Sequence, residues 1–372
     1  MKRLTVVQTL PALNMGGVER GTLEVAQALV NAGHRSIVIA AKGHLSEQLT
    51  AAGSEHIDWP IGRKSPLTLR FVPRLRRLLI DEQVDVLHSR SRLPAWISYL
   101  AWRGLPAASP THFITTMHGA HSVNRYSRIM TRGEKVIAVS EFIRDHILEN
   151  YPDTDPHRIA VIPRGVEGAQ FPYGYLPPAD WLSQWYEQHP ALKDGQLITL
   201  PARLTRRKGH EDFIGIIAGL REQGMNVHGL IVGGRDPRRL AYADGIEAQV
   251  RRMGLDNDIS FLGHRDDLRE IMAISSVVMA LSRLPESFGR TALEALGMGI
   301  PVVGYAHGGT AEILQNIFPD GAVEPGNVRL AIERVGEILQ KNKTVPVTGM
   351  YSLADMLTST LDLYQACCRG SE

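Results

Sequence analysis

Residues 277–298 read VVMALSRLPESFGRTALEALGM. The first five, Val277–Leu281, are apolar without alternation, as in a strand buried on both faces. Arg290–Met298 then follows a helical pattern. Between them lies a loop holding Pro285 and Glu286, with Ser287–Arg290 as the expected helix start. Strand, Gly-containing turn and helix form the repeating unit of a parallel α/β sheet. Backbone N–H groups at Phe288, Gly289 and Arg290 would aim at a phosphate off that helix N-terminus. Glu294 is placed to accept hydrogen bonds from ribose hydroxyls, and Glu286 from sugar hydroxyls. Complementing a helix N-terminus accounts for the two acids equally simply.

The same rhythm runs through the chain. Before residue 165, strands are expected at Leu4–Leu10, Ser36–Ala41, Val84–His88, His112–His118, Lys135–Ser140 and Arg158–Pro163. A helix is expected over Val18–Ala32, with Leu23, Ala26, Leu29 and Val30 on one face. Residues 165–195 break the rhythm: Pro172, Pro177, Pro178 and Pro190 fall among aromatics with no clear period, and read as an inter-domain connection. Strands resume at Leu197–Ala202, Val227–Val232, Ile259–Leu262, Val277–Leu281 and Pro301–Gly304. Helices are expected at Glu211–Gln223, Arg290–Met298 and Leu353–Cys367. This predicts two α/β domains, each binding ligands at its strand C-terminal ends, with a cleft between them.

A chain of 372 residues suits two domains. Its 44% hydrophobic and 22% charged residues argue against disorder. Net charge is +2, but residues 1–170 hold 21 Lys and Arg against 15 Asp and Glu. That excess suggests an anionic partner for the first half and is also within ordinary imbalance. Cys367 and Cys368 are adjacent, so they make neither a disulfide framework nor a zinc site, which fits a reducing cytoplasm. Lys2 and Arg3 precede an apolar run, but Leu4–Leu10 is short and leads into a Gly turn, so it reads as a first strand and not a leader. No run reaches the roughly 18 apolar residues of a membrane-spanning helix.

Other turns carry possible chemistry. Asn14-Met15-Gly16-Gly17-Val18-Glu19-Arg20 opens the first helix, and its glycines suit either close approach to a ligand or a tight turn. The three-glycine dinucleotide spacing is missing. Pro201–His210 puts Arg203, Arg206, Arg207 and Lys208 at a strand end, where Arg203 and Lys208 suit a diphosphate, although a solvated basic turn reads the same way. A Walker loop is absent. Gly308-Gly309-Thr310-Ala311-Glu312 is a further turn and helix start, and Glu312 reads simply as a first-turn acid. His118 ends a strand and is a candidate polar contact.

Taken together, these residues resemble the retaining glycosyltransferases of family 4, which have the GT-B fold of two Rossmann-like domains. The E-x7-E pattern stands at Glu286 and Glu294, and R-x4-K at Arg203 and Lys208. The amino-terminal G-G turn stands at Gly16-Gly17. Gly299, Pro301, Val302, Gly308, Gly309 and Glu312 give the G-x-P-V and G-G-x-x-E pair. Asp320–Asn327 and Val139-Ser140-Glu141 are also similar to family segments. The resemblance spans nearly the whole chain. It departs at Arg164-Gly165-Val166-Glu167, where the family often has Asn-Gly-Val-Asp, and at His88-Ser89-Arg90, where many members read H-x-H.

The resemblance implies an acceptor-binding domain at 1–166, completed by a C-terminal helix at 353–372, and a nucleotide-sugar domain at 167–352. Arg203 and Lys208 would bind the donor diphosphate without a metal or cofactor. Glu294 would hold the ribose, and Glu286 the donor sugar. Phe288, Gly289 and Arg290 would line the phosphate, with Gly16-Gly17 beside it, and His118 would lie by the anomeric carbon. Front-face attack would retain configuration. UDP is the nucleotide expected from family habit, and GDP stays open. The acceptor is expected to be a glycan or glycolipid, such as lipopolysaccharide core or another surface polysaccharide, met by Glu19, Arg90 and Arg92. No nucleic-acid partner is expected. Arg63, Lys64, Arg70, Arg74, Arg76 and Arg77, with Leu75, Leu78 and Leu79, suit either an anionic cytoplasmic membrane face or a solvated helix. Two other classes stay open: a sugar-nucleotide epimerase or phosphorylase on the same scaffold, and a non-catalytic nucleotide-sugar binder.

Overall fold

The computed structural model describes residues 2–14, 16–237 and 239–369. It divides into two compact units. One runs to Arg164 and includes the C-terminal helix from Ala354; the other is Gly165–Leu353. Met15 of the expected Gly turn and residues 370–372 of the expected last helix lie outside the described residues.

The first unit holds seven parallel strands: β1 (Thr5–Ala12), β2 (Arg35–Ala41), β3 (Glu55–Asp58), β4 (Val86–Ser89), β5 (His112–Met117), β6 (Lys135–Ala138) and β7 (Ile159–Val161). They lie in the order β3-β2-β1-β4-β5-β6-β7. Side chains alternate across a strand, so β2 feeds two cores. Ile37 and Ile39 pack with Phe71, Leu75 and Leu79 of helix Phe71–Asp81. Val38 and Ala40 pack with Ala26 of helix Gly17–Asn31. Both faces are covered, so the strands read as continuous apolar runs. The last helix, Leu353–Arg369, buries Tyr364, whose hydroxyl lies 2.6 Å from Nδ1 of His88.

The second unit has β8 (Gln196–Pro201), β9 (Val227–Val232), β10 (Ile259–Gly263), β11 (Val277–Ala280), β12 (Val302–Tyr305) and β13 (Ala322–Val323), ordered β10-β9-β8-β11-β12-β13. Ile231 joins Phe213 and Ile217 of helix His210–Glu222 on one face. Leu230 and Val232 join Trp185 and Leu192 on the other.

That second face corrects the expected connection. Residues 179–188 form a helix, Ala179–Gln188, and Trp185 is 2% exposed under the sheet. Trp181 stacks on Trp185 at 5.1 Å, and its indole N–H donates to Asp267 over 2.9 Å. The segment therefore belongs to the second unit's core. Where the chain enters and leaves that unit, its two strands are hydrogen-bonded: Val166 N donates to Tyr351 O, and Leu353 N to Val166 O, each over 3.0 Å. A Cβ at Gly165 would lie 2.3 Å from the Ser352 carbonyl, so this crossing requires glycine.

Candidate active site

In the second unit, strand order reverses between β8 and β11, the point where open α/β sheets bind ligands. Lys208 follows β8 and Glu286 follows β11. Their side chains form an ion pair, and the Ser282 hydroxyl donates to the same carboxylate oxygen. Burial pushes the Glu286 carboxyl up, but the adjacent Lys208 charge and these hydrogen bonds outweigh it and hold its pKa below the usual carboxylate value. His307 Nε2 donates to the Ser282 carbonyl over 2.7 Å, bracing the loop. Gly309 N donates to the Glu286 carbonyl over 2.7 Å. Lys208, Glu286, Gly289, Thr291 and Thr310 line one cavity at these strand ends.

Gly209 bends the chain from the Lys208 turn into helix His210–Glu222. Its φ is +71°, and a Cβ there would meet the Leu281 carbonyl oxygen at 2.2 Å. Only glycine fits, so the backbone itself delivers Lys208 to the end of β11. Arg203 is exposed and, among the described residues, makes no ion pair. Arg290 Nε donates to Glu294 over 3.0 Å one turn along helix Arg290–Gly297, and Glu294 is 8% exposed. Phe288 turns into the core and packs edge-on against Tyr351, so only its backbone is available to a ligand. Glu312 lies in helix Gly308–Ile317, beyond its first turn.

The first unit has its own switch point between β1 and β4. Gly16 and Gly17 follow β1. Gly16 is extended, at φ 178°, and Gly17 has no atom within 4 Å of a would-be Cβ. A tight turn therefore does not explain them: open space lies beside Gly17, and the Glu19 carboxylate packs where a Gly16 Cβ would stand. Arg90 follows β4, is 6% exposed and donates Nε to Gln8 over 2.8 Å. His118 follows β5. Arg164 reaches it, its guanidinium lying 2.8 Å from Nδ1. Arg90, His118 and Arg164 line one cavity. Arg92 sits apart, over the Tyr126 ring at 5.4 Å and bonded to Ser127. Glu19 is half-buried beside Gly16. Sequence reasoning missed Ser282, His307 and the use of Arg164. A hydroxyl directly after a strand was the available signal for Ser282, and the cation replacing Asn was the signal for Arg164.

Two doubly wound α/β units are the architecture of GT-B glycosyltransferases. The profile of Glycosyltransferase Family 4 matches residues 15–169, and that of Glycosyl transferases group 1 matches residues 183–349. A glycosyltransferase from Rickettsia africae is 30% identical, with a TM-score of 0.82 over 99% of each chain. The chain belongs to the family 4, group 1 glycosyltransferases. Anabaena HepE, solved with UDP and glucose, is 18% identical with a TM-score of 0.80 over 98% of this chain and 100% of that one. A human phosphatidylinositol N-acetylglucosaminyltransferase subunit is 26% identical over 320 residues, 81% of this chain; the match spans 61% of that protein's length. Among the described residues, no helix is long and apolar enough to cross a membrane.

Proposed function

We propose that this enzyme moves a sugar from a UDP-sugar to a glycan or glycolipid acceptor with retention of configuration and without a metal. One observation carries the reading: Lys208, with exposed Arg203 on the same loop, stands at the end of β8 against Glu286 at the end of β11. The two cations meet the charge that develops on the departing diphosphate. The acceptor oxygen bonds to the anomeric carbon as that carbon's bond to the phosphate oxygen breaks. The electron pair leaves with UDP, and the acceptor proton passes to a donor phosphate oxygen. Entry on the departing face retains configuration. Glu286, a carboxylate at neutral pH, orients sugar hydroxyls; Glu294 accepts from the ribose; His118 contacts the sugar. UDP is the nucleotide in the Anabaena HepE structure.

The acceptor reading draws on a second feature. Arg63, Lys64, Arg70, Arg74 and Arg77 are exposed beside Leu67 and Leu69, which are 70% and 57% exposed. Cations around exposed leucines suit an anionic membrane surface and hence a lipid-linked surface glycan. Arg76 is not part of this face, since it donates to the Ala101 and Leu100 carbonyls. The test is UDP release from UDP-hexoses and UDP-N-acetylhexosamines over lipid-linked glycans in EDTA, with the product anomer read by proton NMR. Retained configuration in EDTA supports the proposal; an inverted product or a metal requirement contradicts it.

A further inference from the structure

Arg164 holds two distant segments of the first unit at once. Its NH1 donates to the Gly17 carbonyl over 2.6 Å, and its NH2 lies 2.8 Å from His118 Nδ1. A guanidinium has donors and no acceptor, so Nδ1 must be accepting. A neutral ring that accepts at Nδ1 carries its proton on Nε2. That Nε2 is buried and has no hydrogen-bond partner among the described residues. Leaving such a buried donor unsatisfied is unfavourable. The ring borders the cavity shared with Arg90, Thr116 and Arg164, so an oxygen arriving there can satisfy it.

The first helix makes room for this arrangement. Gly21 lies inside helix Gly17–Asn31, where glycine is a poorer helix former than alanine. A Cβ at Gly21 would stand 2.4 Å from Arg164 NH1. The weak helix former therefore coincides with the path of the guanidinium.

We propose that Arg164 is a positioning residue that fixes His118 as the neutral Nε2–H tautomer, making His118 a hydrogen-bond donor to an oxygen of the bound sugar and not a proton acceptor. The sugar contact rests on the transferase reading; the tautomer does not. Burial first, and then the charges of Arg164 and Arg90 with His88 and His121 nearby, hold His118 well below the ordinary histidine pKa, which agrees with a neutral ring.

The experiment is ¹⁵N NMR of the full chain labelled at histidine, with His118 assigned by its loss in His118→Gln. Wild type should show a protonated Nε2 and an accepting Nδ1, unchanged from about pH 5 to 8. Arg164→Lys, which keeps a donor-only group, should preserve that signature. Arg164→Met should mix the tautomers. With a UDP-sugar and an acceptor, kcat of Arg164→Met should fall at least about tenfold, while KM for the donor stays within about twofold. Gly21→Ala, which displaces the guanidinium without removing it, should reproduce part of the Arg164→Met signature. A wild-type His118 protonated at Nδ1, or an Arg164→Met spectrum identical to wild type, would overturn the proposal. So would wild-type turnover in His118→Phe, whose ring has no donor. If wild type transfers no sugar at all, the transferase reading fails while the spectra still decide the tautomer.

Discussion

Lys208 and Glu286, 78 residues apart in the chain, meet as an ion pair at the C-terminal edge of the second sheet. The two side chains are 36% and 31% exposed, so the pair adds little stability, about 1 kcal/mol or less. Lys208→Ala should therefore abolish turnover while shifting Tm by only a few degrees. Glu286→Gln keeps the shape but loses the charge that orients sugar hydroxyls, and should lower kcat more than it raises KM. Steady-state kinetics beside thermal melts check both.

Two glycines of the candidate site should behave in opposite ways. Gly209 has positive φ and no room for a Cβ, so Gly209→Ala should destabilise the fold by about 2 kcal/mol or more. Gly17 has open space around it, so Gly17→Ala should leave Tm unchanged or slightly raised while reducing turnover. Urea melts and initial rates on the two variants separate a folding role from a ligand role.

Much of the fold was legible because buried parallel strands are apolar throughout; the expected Val227–Val232 is the observed β9. Edge elements escaped. Glu55-His56-Ile57-Asp58 forms β3 with polar ends exposed, and β13 has only two residues. Helix Ala179–Gln188 is bracketed by prolines, which hid the i,i+4 spacing of Trp181 and Trp185. At the site, Lys208 and Glu286 could each be named from their loops. Their pairing depends on the adjacency of β8 and β11, which no local pattern contains. Arg164, after β7, and His118, after β5, lie 46 residues apart and meet across the end of β6, which no local pattern contains either.

Acid should weaken the first unit through His121. Burial first, then the nearby Arg92 and His146, lower its pKa from 6.5 to about 4. The unfolded chain then binds the proton first on acidification. The stability contribution is present above pH 6.5 and is lost as pH falls through about 4. The urea midpoint should fall across that window, and His121→Gln should blunt the fall.

The basic face should bind anionic vesicles. With about 1 kcal/mol per cation near the surface, reversing Arg70, Arg74 and Arg77 to Glu should release the protein from phosphatidylserine-containing vesicles in a sedimentation assay. Wild-type binding should weaken with salt. Equal sedimentation of wild type and triple variant would remove the membrane contact.

The most direct measurement is calorimetric titration of UDP into the full chain in EDTA, for wild type, Arg203→Ala and Lys208→Ala. Saturable one-site binding by wild type, weakened at least about tenfold, or 1.4 kcal/mol, in each variant, is the predicted result. No UDP binding by wild type, or undiminished binding by Lys208→Ala, would contradict the assignment of the diphosphate to this loop.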